Sequence, residues 1–96
     1  MSIEPIVMPK WGLAMQEGTL AKWNVAEGER IARGQEIADI ETTKIANVFE
    51  SPVEGVLRRR VIGEGETVPV GALLAVVAGP GDSDADIDAF VAKFRE

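Results

Sequence analysis

Two stretches of the sequence, GTLAKWNVAEGERIARGQEIADIE at residues 18–41 and GVLRRRVIGEGETVPVGALLAVVA at residues 55–78, align without a gap at a constant offset of 37 residues. Chance does not keep one register through so many glycines, glutamates and apolar residues. We infer that two similar halves build one domain and are related by a pseudo-twofold axis. The matches are Gly18 with Gly55, Leu20 with Leu57, Val25 with Ile62, Glu27 with Glu64, Gly28 with Gly65, Glu29 with Glu66, Ile31 with Val68, Gly34 with Gly71, Ile37 with Leu74 and Ile40 with Val77.

Each half consists of short apolar runs bounded by Gly, Pro and acidic residues, a pattern typical of strands and turns. The runs are IVM, TLAKWNV, EIADI, NVF, GVLRRRVI and LLAVVA. Gly28 and Gly65 suit turns that need a positive φ, and Gly34 and Gly71 let the chain bend before the next strand. Residues 1–79 are therefore predicted to form an all-β, flattened barrel-sandwich of two small antiparallel sheets, with the apolar positions of the repeat in one shared core.

Residues 80–96 change character. A linker-like GPGD is followed by Ser83 or Asp84, either of which could cap a short helix with an apolar stripe at positions 87, 90, 91 and 94. Because so short a helix is marginal alone, it should dock on the barrel, on another copy, or on a domain missing from this sequence.

Composition excludes several classes of function. The 96 residues include neither cysteine nor histidine, so thiol or imidazole catalysis and soft metal sites cannot be built from them. A net charge of −6 disfavours nucleic acid and anionic membranes as partners. No apolar run approaches the roughly 20 residues that span a bilayer, and a signal peptide is lacking, so we expect a cytoplasmic protein.

The join between the halves draws attention to Lys44. The strand ending near Glu41 is the equivalent of the one ending near Ala78, so residues 42–45 connect the halves and should form a tight, exposed turn. Their sequence, TTKI, has none of the Asn, Gly or Pro signals that favour such turns. A sequence that breaks the local rule at one place favours a functional interpretation.

The chain from Ile3 to about Ala78 resembles a lipoyl domain, the swinging-arm carrier of 2-oxo acid dehydrogenase complexes. The motifs that carry the resemblance are MPKWG, EGTLAKW, EGERI, ETTKI, ESPVEG and EGETVPVGALLAVV. The resemblance implies that Lys44 carries lipoic acid in an amide bond, within an attachment turn that includes Glu41, Thr42, Thr43 and Ile45. Thr43 and Ile45 replace the usual acidic residue and alanine, and look like the variant found in acetoin-cleaving complexes.

The resemblance also implies the reaction partners. A lipoate ligase or lipoyl transferase attaches the cofactor, a thiamine-diphosphate component acylates it reductively, an acyltransferase domain passes the acyl group, here acetyl, to coenzyme A, and dihydrolipoamide dehydrogenase reoxidises the dithiol. The chain would be a carrier rather than an enzyme by itself, with no catalytic or metal-ligating residue. It would form the amino-terminal piece of a dihydrolipoamide acetyltransferase whose downstream domain is missing here.

One connection is longer than its counterpart in the other half. KWGLAMQE separates Pro9 from Gly18, whereas two residues separate Pro52 from Gly55. In lipoyl domains this loop lies close to the attachment turn and helps partners choose the carrier, so Trp11, Leu13 and Met15 are candidate contacts. The alternative is that the three side chains plug the barrel.

Three arginines at 58–60 could form a docking patch. Strand alternation would point Arg58 and Arg60 to one face and Arg59 to the other, which favours a solvated strand over a specific site.

Other functions stay open. A biotin carrier has the same fold, but its target lysine is flanked by methionines. The glycine-cleavage carrier protein is a cousin that lacks MPKWG and the early EGTLAKW. An unmodified interaction module would leave an exposed lysine at the join unexplained.

Overall fold

A computed structural model describes residues 3–13, 15–43 and 45–94. Its strands are β1 (Glu4–Val7), β2 (Glu17–Trp23), β3 (Arg30–Ile31), β4 (Glu36–Glu41), β5 (Ala46–Glu50), β6 (Gly55–Arg60), β7 (Thr67–Pro69) and β8 (Leu73–Ala78), followed by helix α1 (Asp84–Phe94). The strands form two four-stranded antiparallel sheets. The first sheet has the order β1-β8-β6-β3 and the second the order β5-β4-β2-β7. The predicted fold class, two small antiparallel sheets with a short C-terminal helix, is confirmed.

The pseudo-twofold relation of the halves is visible in the backbone hydrogen bonds. Leu20 N–H donates to the carbonyl oxygen of Glu66 at 2.9 Å, and Leu57 N–H donates to that of Glu29 at 2.9 Å. Each atom in the first bond has its counterpart 37 residues away in the second. The two halves therefore exchange equivalent hydrogen bonds, as expected for a pseudo-twofold relation.

The repeated glutamates Glu27 and Glu64 make equivalent contacts across the interface between the halves. Oε2 of Glu27 accepts a hydrogen bond from the backbone N–H of Arg60 at 2.8 Å, and Oε2 of Glu64 accepts one from that of Trp23 at 2.9 Å. Register shifts in β2 and β6 lie beside these two donors. In each half, a glutamate carboxylate thus accepts a hydrogen bond from a backbone N–H of the other half. That N–H lies at the end of its own strand, β6 or β2.

The shared core contains the apolar positions of the repeat, as predicted. Side chains from both sheets pack in one cluster, because alternate residues of facing strands point into the space between the sheets. Val68 is only partly buried but packs against the same cluster. The buried members of the repeat are Leu20, Val25, Ile31, Ile37, Ile40, Leu57, Ile62, Leu74 and Val77.

The turn glycines behave as predicted: Gly28, Gly34, Gly65 and Gly71 have φ values of 92°, 87°, 90° and 89°. Gly55 differs from these four glycines: its φ is 145°, and neighbouring atoms also leave no room for a Cβ at this position.

Replacing Gly55 is expected to be costly. A Cβ there would lie 2.7 Å from Cγ1 of Val77 and 3.2 Å from the carbonyl oxygen of Ala78. Gly55→Ala should lower the free energy of unfolding by about 2 kcal/mol in urea denaturation, through strain and overpacking. Gly63→Ala is the matched control, since its Cβ would meet only Oε2 of Glu66, at 3.4 Å. Equal losses in the two variants would contradict this explanation.

Helix α1 packs on the outer face of the first sheet. Ile87 is fully buried and contacts a cluster that contains Leu73, Val76 and Ala78 of β8. Every residue of β8 is consequently buried, whereas buried and exposed residues mix along β4, its repeat equivalent. The sequence left three docking places for the helix open: the barrel, another copy or a missing domain. In the structure the helix packs on the barrel.

Two ion pairs hold the helix to β6. Arg58 Nη2 lies 3.0 Å from Oδ1 of Asp84, and Arg59 Nη1 lies 2.6 Å from Oδ1 of Asp88. The prediction that Arg58 and Arg60 share one face, with Arg59 on the other, is wrong. A register shift between Leu57 and Arg59 interrupts the alternation, so that Arg58 and Arg59 both reach the helix. The interpretation as a solvated strand therefore fails for these two side chains.

Helix α1 begins with a capped turn. The Ser83 hydroxyl accepts a hydrogen bond from Asp86 N–H at 3.1 Å, which makes Ser83 rather than Asp84 the N-cap. Before it, Oδ2 of the buried Asp82 accepts a hydrogen bond from Gly79 N–H at 2.8 Å. The connection between β8 and the helix is thus held by side chains rather than left as a free linker.

Candidate functional site

The connection between β4 and β5 is the join that the repeat predicts. Thr42 N–H donates to the carbonyl oxygen of Ile45 at 2.7 Å, and Ile45 N–H donates to Oγ1 of Thr42 at 3.1 Å. The turn sequence contains no Gly, Asn or Pro, and the hydroxyl of Thr42 stabilises the turn by a hydrogen bond instead. Lys44 lies outside the described residues.

The sequence neighbours of Lys44 are open to solvent. Thr43 is exposed, Ile45 is 45% exposed, and the side chain of Glu41 at the end of β4 is exposed as well. A β-branched apolar residue left in water at a turn has no role in the core. In the attachment turn, residues 41–45, Glu41, Thr43 and Ile45 are therefore accessible from solvent, and Thr42 is half-buried.

The longer connection of the first half can be measured against the second. Gly71 N–H donates to the carbonyl oxygen of Met8 at 3.0 Å, and Gly34 N–H donates to that of Ser51 at 2.8 Å. Because Gly34 and Gly71 are repeat equivalents, Met8 and Ser51 hold equivalent positions. The chain advances ten residues from Met8 to the repeat glycine Gly18, but only four from Ser51 to its equivalent Gly55.

This loop, residues 9–16, packs two of its apolar side chains inward. The Trp11 ring meets that of Phe49 edge to face, with centroids 6.3 Å apart. The backbone N–H of Trp11 donates to Sδ of Met15 at 3.2 Å. The side chains of both residues are half-buried against the core. Leu13, in contrast, is 98% exposed. Trp11 and Met15 therefore close over the barrel, while Leu13 presents a bare apolar surface.

The loop and the attachment turn face each other across a groove of about 750 Å³. Trp11, Leu13 and Met15 line it from the loop, and Thr43 and Ile45 line it from the turn. All three predicted recognition residues are thus brought to the attachment turn.

Sequence reasoning missed two further residues that line the groove. Thr19 of β2 and Thr67 of β7 both line it, and their hydroxyl oxygens lie 2.6 Å apart. They meet because β2 pairs with β7. No signal predicted this contact, since β7 is only three residues long and the repeat does not match Thr19 with a second threonine.

The described residues 3–13, 15–43 and 45–94 contain no group of three or more acidic side chains arranged to hold a metal ion. Over the same ranges, no helix has the length and apolar character needed to cross a membrane.

Comparison with known proteins defines the class. The sequence profile of the biotin/lipoyl family, described as "Biotin-requiring enzyme", matches residues 4–77. The lipoyl domain of the 2-oxoglutarate dehydrogenase complex from Azotobacter vinelandii superposes with a TM-score of 0.62 at 34% identity, covering 78% of this chain and 96% of that one. The chain therefore belongs to the biotin/lipoyl attachment family and is a lipoyl domain within it.

Similar curated proteins are acetyltransferase components of acetoin cleaving systems. The dihydrolipoyllysine-residue acetyltransferase component from Cupriavidus necator is 54% identical over 98% of this chain, and that from Pseudomonas putida is 48% identical over 97%. The chain spans 25% of the length of each of these relatives.

Proposed function

We propose that the chain is the lipoyl carrier of an acetoin-cleaving acetyltransferase, with lipoate bound through an amide to Lys44. One observation carries the proposal: Thr43 and Ile45, on either side of Lys44 in the sequence, are exposed, and hydrogen bonds between Thr42 and Ile45 hold the turn. A turn held by hydrogen bonds and flanked by exposed residues suits a residue that several enzymes must reach one after another. The identity to two acetoin-system acetyltransferases supports the parent complex.

The residues of this chain would position the cofactor rather than perform the chemistry. Lipoate, when attached, supplies the sulfur pair that the sequence lacks and that can accept an acyl group and electrons. Thr42 and Ile45 hold the turn, and Glu41 ends the strand that supports it. With neither cysteine nor histidine, the chain offers no thiol nucleophile and no imidazole base, which supports a role as a carrier rather than as an enzyme by itself.

The proposed partners follow from the carrier role. They are the lipoate ligase or lipoyl transferase, the thiamine-diphosphate component, the acyltransferase domain and dihydrolipoamide dehydrogenase, all in the cytoplasm. Tethering keeps a carrier at an effective concentration of about a millimolar near its partners' active sites. Neither nucleic acid nor a membrane is proposed as a partner, because the chain is acidic.

A direct experiment tests this function against the alternatives. The chain is co-expressed with lipoate ligase or with biotin ligase, and its intact mass and modified peptide are determined. A lipoyl adduct on Lys44 only with the first enzyme is expected. A biotinyl adduct would favour the biotin carrier, and no adduct with either enzyme would favour an unmodified interaction module.

We further propose that Leu13 contacts the thiamine-diphosphate component, while Trp11 and Met15 hold the loop in place. Residues 10–17 are replaced by a short turn like that at residues 52–55. Lipoylation should be retained, because the attachment turn is unchanged, and reductive acylation should slow about tenfold or more, the effect of losing about 1.4 kcal/mol of partner contact.

A second variant separates contact from loop position. Leu13→Ser removes the exposed apolar surface and leaves the Trp11–Met15 contact, so it should reproduce much of the slowing. Equal acylation rates for the loop-replaced and intact lipoylated chains would refute the recognition role.

A further inference from the structure

Strand β8 runs away from the attachment turn. Leu73, its first residue, pairs with Val7 of β1, just before loop 9–16. That loop lines one side of the groove and the attachment turn lines the other, so β8 begins at the attachment end of the barrel. Its last residue, Ala78, pairs with Val56 near the start of β6. Without a further element, the chain would leave the barrel at the end opposite to the attachment turn.

The turn after β8 is the repeat counterpart of the attachment turn. At the offset of 37 residues, Gly79 corresponds to Thr42 and Asp82 to Ile45. Gly79 N–H donates to Oδ2 of Asp82 at 2.8 Å, and Asp82 N–H donates to the carbonyl oxygen of Gly79 at 3.2 Å. This turn too is therefore closed by hydrogen bonds between its first and fourth residues. The attachment turn leads into β5, whereas its counterpart leads into helix α1.

The first turn of helix α1 is fixed at the far end of β8. Nη1 of Arg58 donates to the carbonyl oxygen of Gly79 at 2.7 Å, and Nη2 of the same side chain lies 3.0 Å from Oδ1 of Asp84. One guanidinium thus joins the residue that follows β8 to the first residue of the helix. The helix consequently starts at the end of the barrel opposite to the attachment turn.

Later turns of the helix lie nearer the start of β8. Asp88 pairs with Arg59, which lies opposite Val76, two residues back from the end of the strand. Phe90 packs against the cluster that contains Leu73. The 11 residues of the helix span about 16 Å and the 6 residues of β8 about 20 Å. The helix therefore runs antiparallel to β8 along most of that strand.

We propose that helix α1 brings the start of the tether back from the far end of the barrel toward the end that carries the attachment turn. The proposal rests on the carrier function proposed above, in which a tether to the acyltransferase domain follows the helix. With the helix docked, the tether starts after α1. With the helix released, residues 79–94 join the tether, and its origin moves back to Ala78. Docking thus shortens the tether and raises the effective concentration of the carried group at the acyltransferase domain.

Distances between spin labels test the return of the chain in the unmodified protein. The sequence has no cysteine, so Thr43→Cys can be combined with Lys93→Cys or with Ala85→Cys, all at exposed positions. Because positions 85 and 93 lie about 12 Å apart along the helix, the 43–93 distance should be shorter than the 43–85 distance by about 6 Å or more in double electron–electron resonance. A 43–93 distance equal to or longer than the 43–85 distance would overturn the proposal, whatever the function of the chain.

Release of the helix tests the consequence for acyl transfer. The parent acetyltransferase is prepared with lipoate on Lys44 verified by peptide mapping, and Ile87→Asp is compared with Ala89→Asp, a change at an exposed position of the same helix. Transfer of the acyl group to coenzyme A by the tethered acyltransferase domain should slow about threefold in Ile87→Asp, since effective concentration falls as about the −3/2 power of tether length and a doubled tether gives that factor. It should be unchanged in Ala89→Asp.

A second rate serves as the internal control. Reductive acylation by added thiamine-diphosphate component should be equal in both variants, because the attachment turn and loop 9–16 are untouched. Equal transfer rates in the two variants, with release of the helix verified by a changed 43–93 distance, would refute the proposal alone. A missing adduct on Lys44 would overturn the carrier function and the proposal with it.

Discussion

Lys44→Gln is expected to abolish lipoylation and to leave the fold intact. Thr43 and Ile45 are exposed, and a substitution between exposed turn residues usually changes stability by less than about 0.5 kcal/mol. The modified fraction is measured by intact mass after co-expression with lipoate ligase, and folding by circular dichroism. Lipoate on Lys10, Lys22 or Lys93 of the variant would contradict the assignment of the site, as would an unfolded variant.

A displaced lysine tests whether the ligase recognises position in the turn. The double substitution Thr43→Lys with Lys44→Thr keeps the composition of the turn but moves the amine by one residue. Its modified fraction at limiting ligase should fall about tenfold or more, since adjacent extended residues point in different directions and about 1.4 kcal/mol of misfit has that effect. Ile45→Ala is the matched control and should be modified nearly as fast as the parent. Rapid lipoylation of the displaced lysine would show that exposure alone suffices.

Ile87→Asp is expected to release helix α1 and to lower the free energy of unfolding by about 3 kcal/mol. Ile87 is fully buried against β8, and removing a buried isoleucine typically costs about 2–5 kcal/mol. Once released, an 11-residue helix is too short to persist alone, so helical ellipticity should fall as well. Urea denaturation and far-ultraviolet circular dichroism provide the two measurements.

The same helix provides a matched control for the introduced charge. Ala89 is exposed, so Ala89→Asp adds the same side chain without burying it and should change stability by about 0.5 kcal/mol or less. If Ala89→Asp and Ile87→Asp were equally destabilised, charge rather than lost packing would be responsible.

The repeat predicted most of the fold because it constrains both halves at once. Together with local patterns it located the core and the turn glycines, and it located the join at residues 42–45 without help from local propensity. It did not predict β3 and β7, two and three residues long, since so short a strand is defined by its partner rather than by its own pattern. The register shift beside Arg59 was missed for a related reason: a bulge leaves no mark in apolar alternation where three arginines follow one another.

The docking place of the helix could have been predicted more sharply. LLAVVA in β8 is apolar throughout, the pattern of a strand covered on both faces, whereas its equivalent EIADIE mixes apolar and acidic residues. The candidate site was predicted at its attachment turn and its loop. The loop and the turn lie side by side because Thr19, just after the loop, pairs with Glu41, just before the turn, and no local signal encodes this pairing of distant segments.

Helix α1 covers the outer face of only one of the two equivalent sheets, and this bears on how duplicated folds can differ between their halves. The repeat positions that point between the sheets pack in one shared core and are apolar in both halves. Outward positions are free of that constraint: where β8 has Leu73, Val76 and Ala78, the corresponding positions of β4 have Glu36, Asp39 and Glu41. A few exchanges on an outer face are thus enough to gain or lose an accessory element without disturbing the carrier beneath it.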